Sequence, residues 1–193
     1  MNIKTEILIE DLIKRTMQNL NKAEQLCQLS VEKLNWKSNP KKWNALECIE
    51  HLNIYGAYYL PEISLQIAQT PHKTPEAYFK SRWLGNYFAN MLSAKENVKK
   101  MKTLKENDPI GSKLDKTVIE QFIDQQKRLL DLLGRARKVS LNKTITGMSI
   151  TKYLTLKLGD TFRIVIYHNQ RHIAQAFQML SEYEESAKKP EVV

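Results

Sequence analysis

The chain has 193 residues, of which 42% are hydrophobic and 26% charged, with six glycines and six prolines. This composition excludes collagen-like, low-complexity and mostly disordered chains, and it predicts a single globular domain over residues 1–193. The net charge is +9, and the whole excess of lysine and arginine falls in residues 71–157, most densely at 95–105.

The cellular setting is predicted from what the sequence lacks. No apolar run approaches the ~20 residues that cross a bilayer, and the N-terminal stretch carries acidic residues that a signal peptide avoids. Two cysteines, Cys27 and Cys48, are too few for a disulfide framework. We therefore expect a cytoplasmic protein with reduced thiols and no membrane association.

The first half of the chain contains two helical patterns. Residues 4–29 place apolar side chains at spacings of three and four, which is typical of a helix that buries one face. A second helix is predicted from an N-cap at Asn44, paired with Glu47 in a capping box, to about Gln69. Pro61 lies within that helix and predicts a kink or an early end.

Residues 70–113 are the least regular part of the chain and contain three prolines and two glycines. The apolar residues between 79 and 92 are too numerous for a free linker, so we expect a long crossover containing a short, packed helix.

The second half of the chain contains two further helices. Thr117 and Glu120 suggest a capping box that opens a third helix to about residue 138. A connector at 139–158 leads to a fourth helix at about 159–184, and residues 185–193 are predicted to be a flexible tail. The fold prediction is all-α: a four-helix bundle with a long crossover between helices two and three, which allows those two helices to run parallel.

The histidines give the main functional signal. His168 and His172 stand four residues apart on the fourth helix, so both rings project from one face, beside the apolar sector. Buried imidazoles need partners for their ring nitrogens, and a shared metal would satisfy both. His51, at the edge of the apolar face of helix two, is the best third ligand, although alone it reads as a hydrogen-bonded core histidine. His72, between two prolines, is predicted to lie on the surface.

Three neutral imidazoles predict a divalent-metal site with an open position, which is typical of catalytic zinc. Zinc, nickel, manganese and iron are the candidate ions, and a bound ion can acidify water or activate a thiolate. A zincin-type protease is disfavoured because Asn169 stands where a general-base glutamate is required. Glu47 and Glu62 are the alternative carboxylates, but structural roles are favoured for both.

The order Trp43-x-x-x-Glu47-x-x-x-His51-Leu52, followed by His168-x-x-Arg171-His172-x-x-Gln175, resembles the DinB/YfiT-like superfamily of metalloenzymes. The likeness extends from about residue 5 to 184. It implies a four-helix bundle, often a homodimer, in which His51, His168 and His172 bind the metal. It also implies a hydrolase or a thiol-dependent S-transferase, acting on an unidentified small molecule with bacillithiol or mycothiol as a thiol partner.

A second interpretation remains open. The basic 95–105 segment could make the protein a non-enzymatic bundle that binds nucleic acid or an acidic partner. The segment lacks interleaved aromatic residues for base stacking and any recognisable groove-reading motif, so a solvated basic surface is favoured over nucleic-acid binding.

Overall fold

Four long helices form the body of the protein, and the shorter elements pack around them. The structure is a computed structural model that describes residues 1–93, 103–149 and 151–188. Its elements, in chain order, are β1 (Asn2–Lys4), α1 (Thr5–Cys27), α2 (Val31–Asn35), α3 (Ala45–Gln69), β2 (Tyr78–Lys80), α4 (Trp83–Leu92), a 3-10 turn (Lys105–Asn107), α5 (Thr117–Ala136), β3 (Ile145–Met148), β4 (Thr151–Lys157) and α6 (Leu158–Lys188).

The predicted four-helix bundle is confirmed, with α1, α3, α5 and α6 as its members. Helices α1 and α3 each pack against both α5 and α6, so α1 faces α3 across the bundle. Most of the core lies between these helices and includes Leu12, Ile63, Phe122 and Phe162, all of them almost fully buried.

Helices α3 and α5 run parallel, as the long crossover allows. Near their starts, the amide of Asn53 donates to the carbonyl of Val118 at 2.8 Å. Near their ends, Arg135 donates to the hydroxyl of Ser64 at 3.4 Å. The first contact joins the starts of the two helices and the second joins their ends, so α3 and α5 run in the same direction.

The remaining directions follow from contacts of α1. Glu6 pairs with Arg137, so the start of α1 lies at the end of α5 and these helices are antiparallel. Arg15 donates to Gln170 at 3.0 Å, and Lys22 lies over the ring of Phe177, so α1 and α6 run parallel. The bundle is therefore up-down-down-up, with α3 and α6 antiparallel.

Two expected helix boundaries are corrected. Helix α6 continues to Lys188, so residues 185–188 are helical and not tail; residues 189–193 lie outside the described residues. The predicted capping box at Thr117 is wrong, since Lys116 is the N-cap and makes no side-chain cap bond. The Thr117 hydroxyl instead donates to Asp115. The capping box of Asn44 and Glu47 is confirmed.

Helix α3 continues through Pro61 to Gln69, so the early end considered from the sequence does not occur. Because Pro61 lacks an N–H, the carbonyl four residues earlier loses one helical partner. The packing of α3 against α5 and α6 holds the helix together across this position, and burial outweighs the local loss.

Two short antiparallel sheets were not expected from the sequence. β1 pairs with β2, with Ile3 opposite Phe79, and β3 pairs with β4, with an irregularity at Gly147 and Met148. The fully buried ring of Phe79 fits directly against Gly159 at the start of α6, where any added Cβ would overlap it. Thus the first sheet closes one end of the bundle.

The crossover helix α4 is fastened to α6 by buried polar contacts. Arg163 pairs with Asp160 at 3.1 Å, and both side chains are almost fully buried. Asp160 also accepts from the Ser81 hydroxyl and the backbone N–H of Arg82, at the start of α4. Gly85 permits the approach, since a Cβ there would overlap the Asp160 carboxyl group.

Candidate metal centre

Three histidines that lie far apart in the sequence converge inside the bundle. His51 lies in the first half of α3, and His168 and His172 lie one turn apart on α6. One potential ligand atom from each of the three residues lies within 4.8 Å of the other two. Among the described residues, no other group of three or more His, Cys, Asp or Glu side chains could hold a metal ion.

Hydrogen bonds fix the orientation of two of these rings. Nδ1 of His51 lies 2.9 Å from the main-chain oxygen of Asn107, and Nδ1 of His172 lies 2.9 Å from Oε1 of Gln175. A carbonyl oxygen can only accept, so each Nδ1 carries the proton and each Nε2 keeps its lone pair. This is the tautomer that a metal ligand needs.

One pair of ring nitrogens has the spacing of two ligands on a transition-metal ion. Nε2 of His51 and Nε2 of His168 are 3.2 Å apart. Two nitrogens bound tetrahedrally at zinc–nitrogen distances near 2.0–2.1 Å would stand about 3.3 Å apart. The three imidazole donors, and the spacing of this one pair, therefore suit zinc and similar divalent ions.

The surroundings keep the imidazoles neutral. Burial lowers the pKa of His51, although the bond to Asn107 opposes that effect. Burial and the neighbouring histidines hold the pKa of His168 well below its ordinary value. Burial, with His51 nearby, lowers the pKa of His172 to about 3. Neutral rings at neutral pH have lone pairs available for a cation.

Two aromatic side chains flank the histidines. The ring centroid of Trp43 is 4.7 Å from that of His51 and 5.6 Å from that of His172. The Tyr55 centroid lies 4.9 Å from both His51 and His168. These apolar faces pack against the imidazoles and restrict the ring orientations.

The end of the crossover forms another wall of the site. Asn107 accepts from His51 through its carbonyl, and its side-chain amide donates to the Tyr55 hydroxyl at 3.2 Å. The next residue, Asp108, accepts from Nε1 of Trp43 at 2.8 Å. Neither residue was expected from the sequence. Asn107 contacts His51 through a main-chain oxygen, which leaves no side-chain pattern, and Asp108 lies in the irregular crossover, where no periodicity places it beside Trp43.

The carboxylates weighed as general bases have other roles in this structure. Glu47 is fully buried, closes the capping box of α3 and pairs with Lys37 at 2.6 Å. Glu62 accepts from the N–H of Gly147 in the β-hairpin at 2.8 Å. These contacts agree with the structural interpretation favoured from the sequence.

The remaining residues named from the sequence divide into two groups. Gln175 contacts His172 directly, and the charge of Arg171 lies close enough to lower the pKa of both His168 and His172. In contrast, Asn169 is buried and donates to Gln126 on α5 at 3.3 Å, and His72 is exposed as expected. Most of the basic run at 95–105 lies outside the described residues.

Comparison with known proteins supports the fold and the family. A family model described as the DinB superfamily matches residues 13–176. A solved structure of YfiT from Bacillus subtilis, described as a probable metal-dependent hydrolase with an unusual four-helix bundle topology, aligns with a TM-score of 0.54. The alignment covers 94% of this chain and 90% of YfiT at 13% identity. No curated protein matches the chain.

Proposed function

This chain belongs to the DinB superfamily, and from that premise we propose that it is a divalent-metal-dependent enzyme acting on a small molecule. The observation that carries the proposal is the convergence of His51, His168 and His172, whose ligand atoms lie within 4.8 Å of one another. A bound divalent ion would supply Lewis-acid chemistry, lowering the pKa of a coordinated water or thiol.

The chain's own residues would hold and orient that ion. His51 from α3 and the α6 pair would supply the three nitrogens, and Asn107 and Gln175 would hold two of the rings through Nδ1. Three neutral ligands leave the charge of the ion uncompensated, which favours an anionic or polarised substrate group at the open position.

The reaction class that we propose is hydrolysis or thiol-dependent S-transfer. Hydrolysis is supported by the fold shared with YfiT, whose description names a probable metal-dependent hydrolase. Thiol transfer is supported by the motif resemblance described above. A low-molecular-weight thiol partner, a homodimeric assembly and a cytoplasmic location belong to the same proposal. No helix within the described ranges is long and apolar enough to cross a membrane.

The test begins with the metal. We expect the protein purified without chelator to contain close to one divalent ion per chain by elemental analysis, and His172→Ala to lose most of it. His72→Ala is the matched control, because His72 is exposed and does not belong to the group of three histidines. Metal retained at full stoichiometry by His172→Ala would refute the ligand assignment.

Turnover separates the two reaction classes. The metal-loaded protein is given an activated ester alone, or an activated aryl halide with bacillithiol or mycothiol, and chelator-treated protein is the control. Ester cleavage without thiol supports a hydrolase, whereas thiol-dependent consumption of the halide supports an S-transferase. A metal-loaded protein without either activity would count against both.

The basic segment gives a distinct alternative, since residues 71–157 contain all of the excess positive charge. Lys105 is exposed, and Lys99, Lys100 and Lys102 lie outside the described residues. If the protein binds nucleic acid, affinity should fall steeply with salt and weaken when these three lysines are replaced. Absence of binding to DNA or RNA at low salt would remove this alternative.

A further inference from the structure

The crossover is joined to the candidate metal centre by a connected set of hydrogen bonds. The main-chain oxygen of Asn107 lies 2.9 Å from Nδ1 of His51. The side-chain amide of the same residue donates to the Tyr55 hydroxyl at 3.2 Å. Asn107 therefore contacts a candidate ligand and an aromatic residue packed against two candidate ligands.

The position of Asn107 depends on its neighbour. One carboxylate oxygen of Asp108 accepts both from Nε1 of Trp43 at 2.8 Å and from the N–H of Ile110 at 3.1 Å. Trp43 precedes the N-cap of α3, so this bond attaches the crossover to the same helix that carries His51. We call the Trp43–Asp108 hydrogen bond the clasp.

A second attachment lies three residues further along. The N–H of Gly111 donates to the buried carboxylate of Glu47 at 2.6 Å. Gly111 has φ +80°, in the left-handed region that favours glycine. The segment 107–111 is thus anchored to α3 through both Asp108 and Gly111, with the His51 contact at its first residue.

We propose that Asp108 and Asn107 are positioning residues of the metal site: the clasp holds the Asn107 carbonyl against His51 and so keeps Nε2 of His51 directed at the ion. The proposal rests on the proposed function. Asp108 is exposed and outside the hydrophobic core, so packing does not account for its bond to Trp43. Partners of this kind commonly change metal affinity 10–100-fold, and an indirect partner should lie near the lower limit.

The experiment compares three variants by cobalt titration, followed through the visible absorption of the bound ion. Asp108→Ala removes the acceptor of the clasp, and Trp43→Phe removes the donor while it keeps an aromatic ring beside His51. Each should weaken cobalt binding about tenfold. Asp108→Asn keeps an acceptor oxygen without the charge and should bind within about twofold of wild type.

Asp115→Ala is the matched control. Asp115 is also an exposed aspartate whose side chain accepts bonds within the same connector, from the N–H and hydroxyl of Thr117. It is not among the contacts of the histidine cluster. Unchanged cobalt affinity in Asp115→Ala would show that loosening the connector in general does not weaken the site.

A second readout needs no metal. Nitrogen NMR of the His51 ring in metal-free protein should show the Nδ1–H tautomer in wild type and Asp108→Asn, and a mixture in Asp108→Ala. Wild-type affinity and tautomer retained in Asp108→Ala would overturn the proposal. If wild-type protein binds no cobalt, the proposed function fails, and the tautomer alone then decides whether the clasp orients His51.

Discussion

At the scale of single residues, the candidate site combines three imidazoles whose pKa values are all lowered. Burial is the leading cause for each, and mutual repulsion between the rings adds to it for His168 and His172. An unfolded chain exposes the same histidines to water, where their pKa is about 6.5. Folding and protonation therefore oppose each other at this site.

We expect the metal-free protein to lose stability as pH falls below about 6.5. In that range the histidines of the unfolded chain bind protons, whereas those of the folded site stay neutral. For His172 the pH range in which stability is lost extends down to its pKa in the folded protein, about 3. Urea unfolding at pH 7 and pH 5 measures the loss, since most carboxylates stay ionised in that range. His172→Gln should reduce the loss and His72→Gln should not; equal pH dependence in all three proteins would contradict this account.

Two helical glycines should respond oppositely to alanine. A Cβ at buried Gly56 would overlap the side chain of Gln125, which is itself buried and donates to the carbonyl of Asn53 at 3.1 Å. We expect Gly56→Ala to cost about 1–3 kcal/mol. Gly134 is exposed with open space around it, so Gly134→Ala should stabilise by about 0.5–1 kcal/mol. Denaturant unfolding measures the stability of both variants. A stabilised Gly56→Ala would show that the Gln125 side chain can move away from the added methyl group at little cost.

At the scale of elements, ion pairs of similar type differ by burial. Asp160 and Arg163 are three residues apart on α6, and both side chains are almost fully buried. Asp131 and Arg135 are four residues apart on α5 and largely exposed, with 3.6 Å between their charged atoms. The first pair also attaches α4 to the bundle, whereas the second lies on the surface.

Removing the acidic partner should therefore have unequal effects. Asp160→Ala leaves the buried Arg163 without its carboxylate and should destabilise by about 3–5 kcal/mol. Asp131→Ala should change stability by about 0.5 kcal/mol or less. Chemical unfolding gives both values, and hydrogen exchange of α4 tests whether the loss is local. Equal effects of the two substitutions would show that burial does not set the strength of these pairs.

The helices were largely predictable from the sequence and the other elements were not. Apolar spacing predicted four long helices, and the Asn44 capping box placed the start of α3 correctly. The first sheet pairs strands 76 positions apart, Ile3 with Phe79, which short-range patterns cannot indicate. The β3–β4 hairpin was missed because the buried positions of β3 are Thr146 and Met148, while Ile145 is only partly buried, so no alternating apolar pattern marks the strand.

At the scale of the whole molecule, the ligand assignment was predictable only in part. The spacing of His168 and His172 indicated a pair on one helix face. The place of His51 at the edge of the apolar face of helix two indicated the third ligand, and the family motif agreed. Their convergence depends on the packing of α3 against α6, a long-range contact that the apolar periodicity of either helix does not indicate. The contribution of Asn107 required the path of the crossover in three dimensions. Metal binding by the three residues remains a prediction.

An ion shared by α3 and α6 should stabilise the entire bundle, because it binds the folded chain and the ligands separate on unfolding. Free zinc at 100 times its dissociation constant should add about 2.7 kcal/mol to the free energy of unfolding. Thermal or chemical unfolding with and without zinc measures the gain. His168→Ala should abolish it and His72→Ala should retain it; a gain that persists in His168→Ala would place the zinc elsewhere.

The parallel course of α3 and α5 has a consequence for how this scaffold can diversify. Because α3 and α5 are parallel, the end of α3 and the start of α5 lie at opposite ends of the bundle. The residues just before α5 therefore lie beside the three histidines. This connection places irregular chain next to the metal site. If α3 and α5 formed an antiparallel hairpin, their connection would lie at the other end of the bundle. Substitutions or length changes there can reshape what enters the site while the helical frame that carries the imidazoles stays intact.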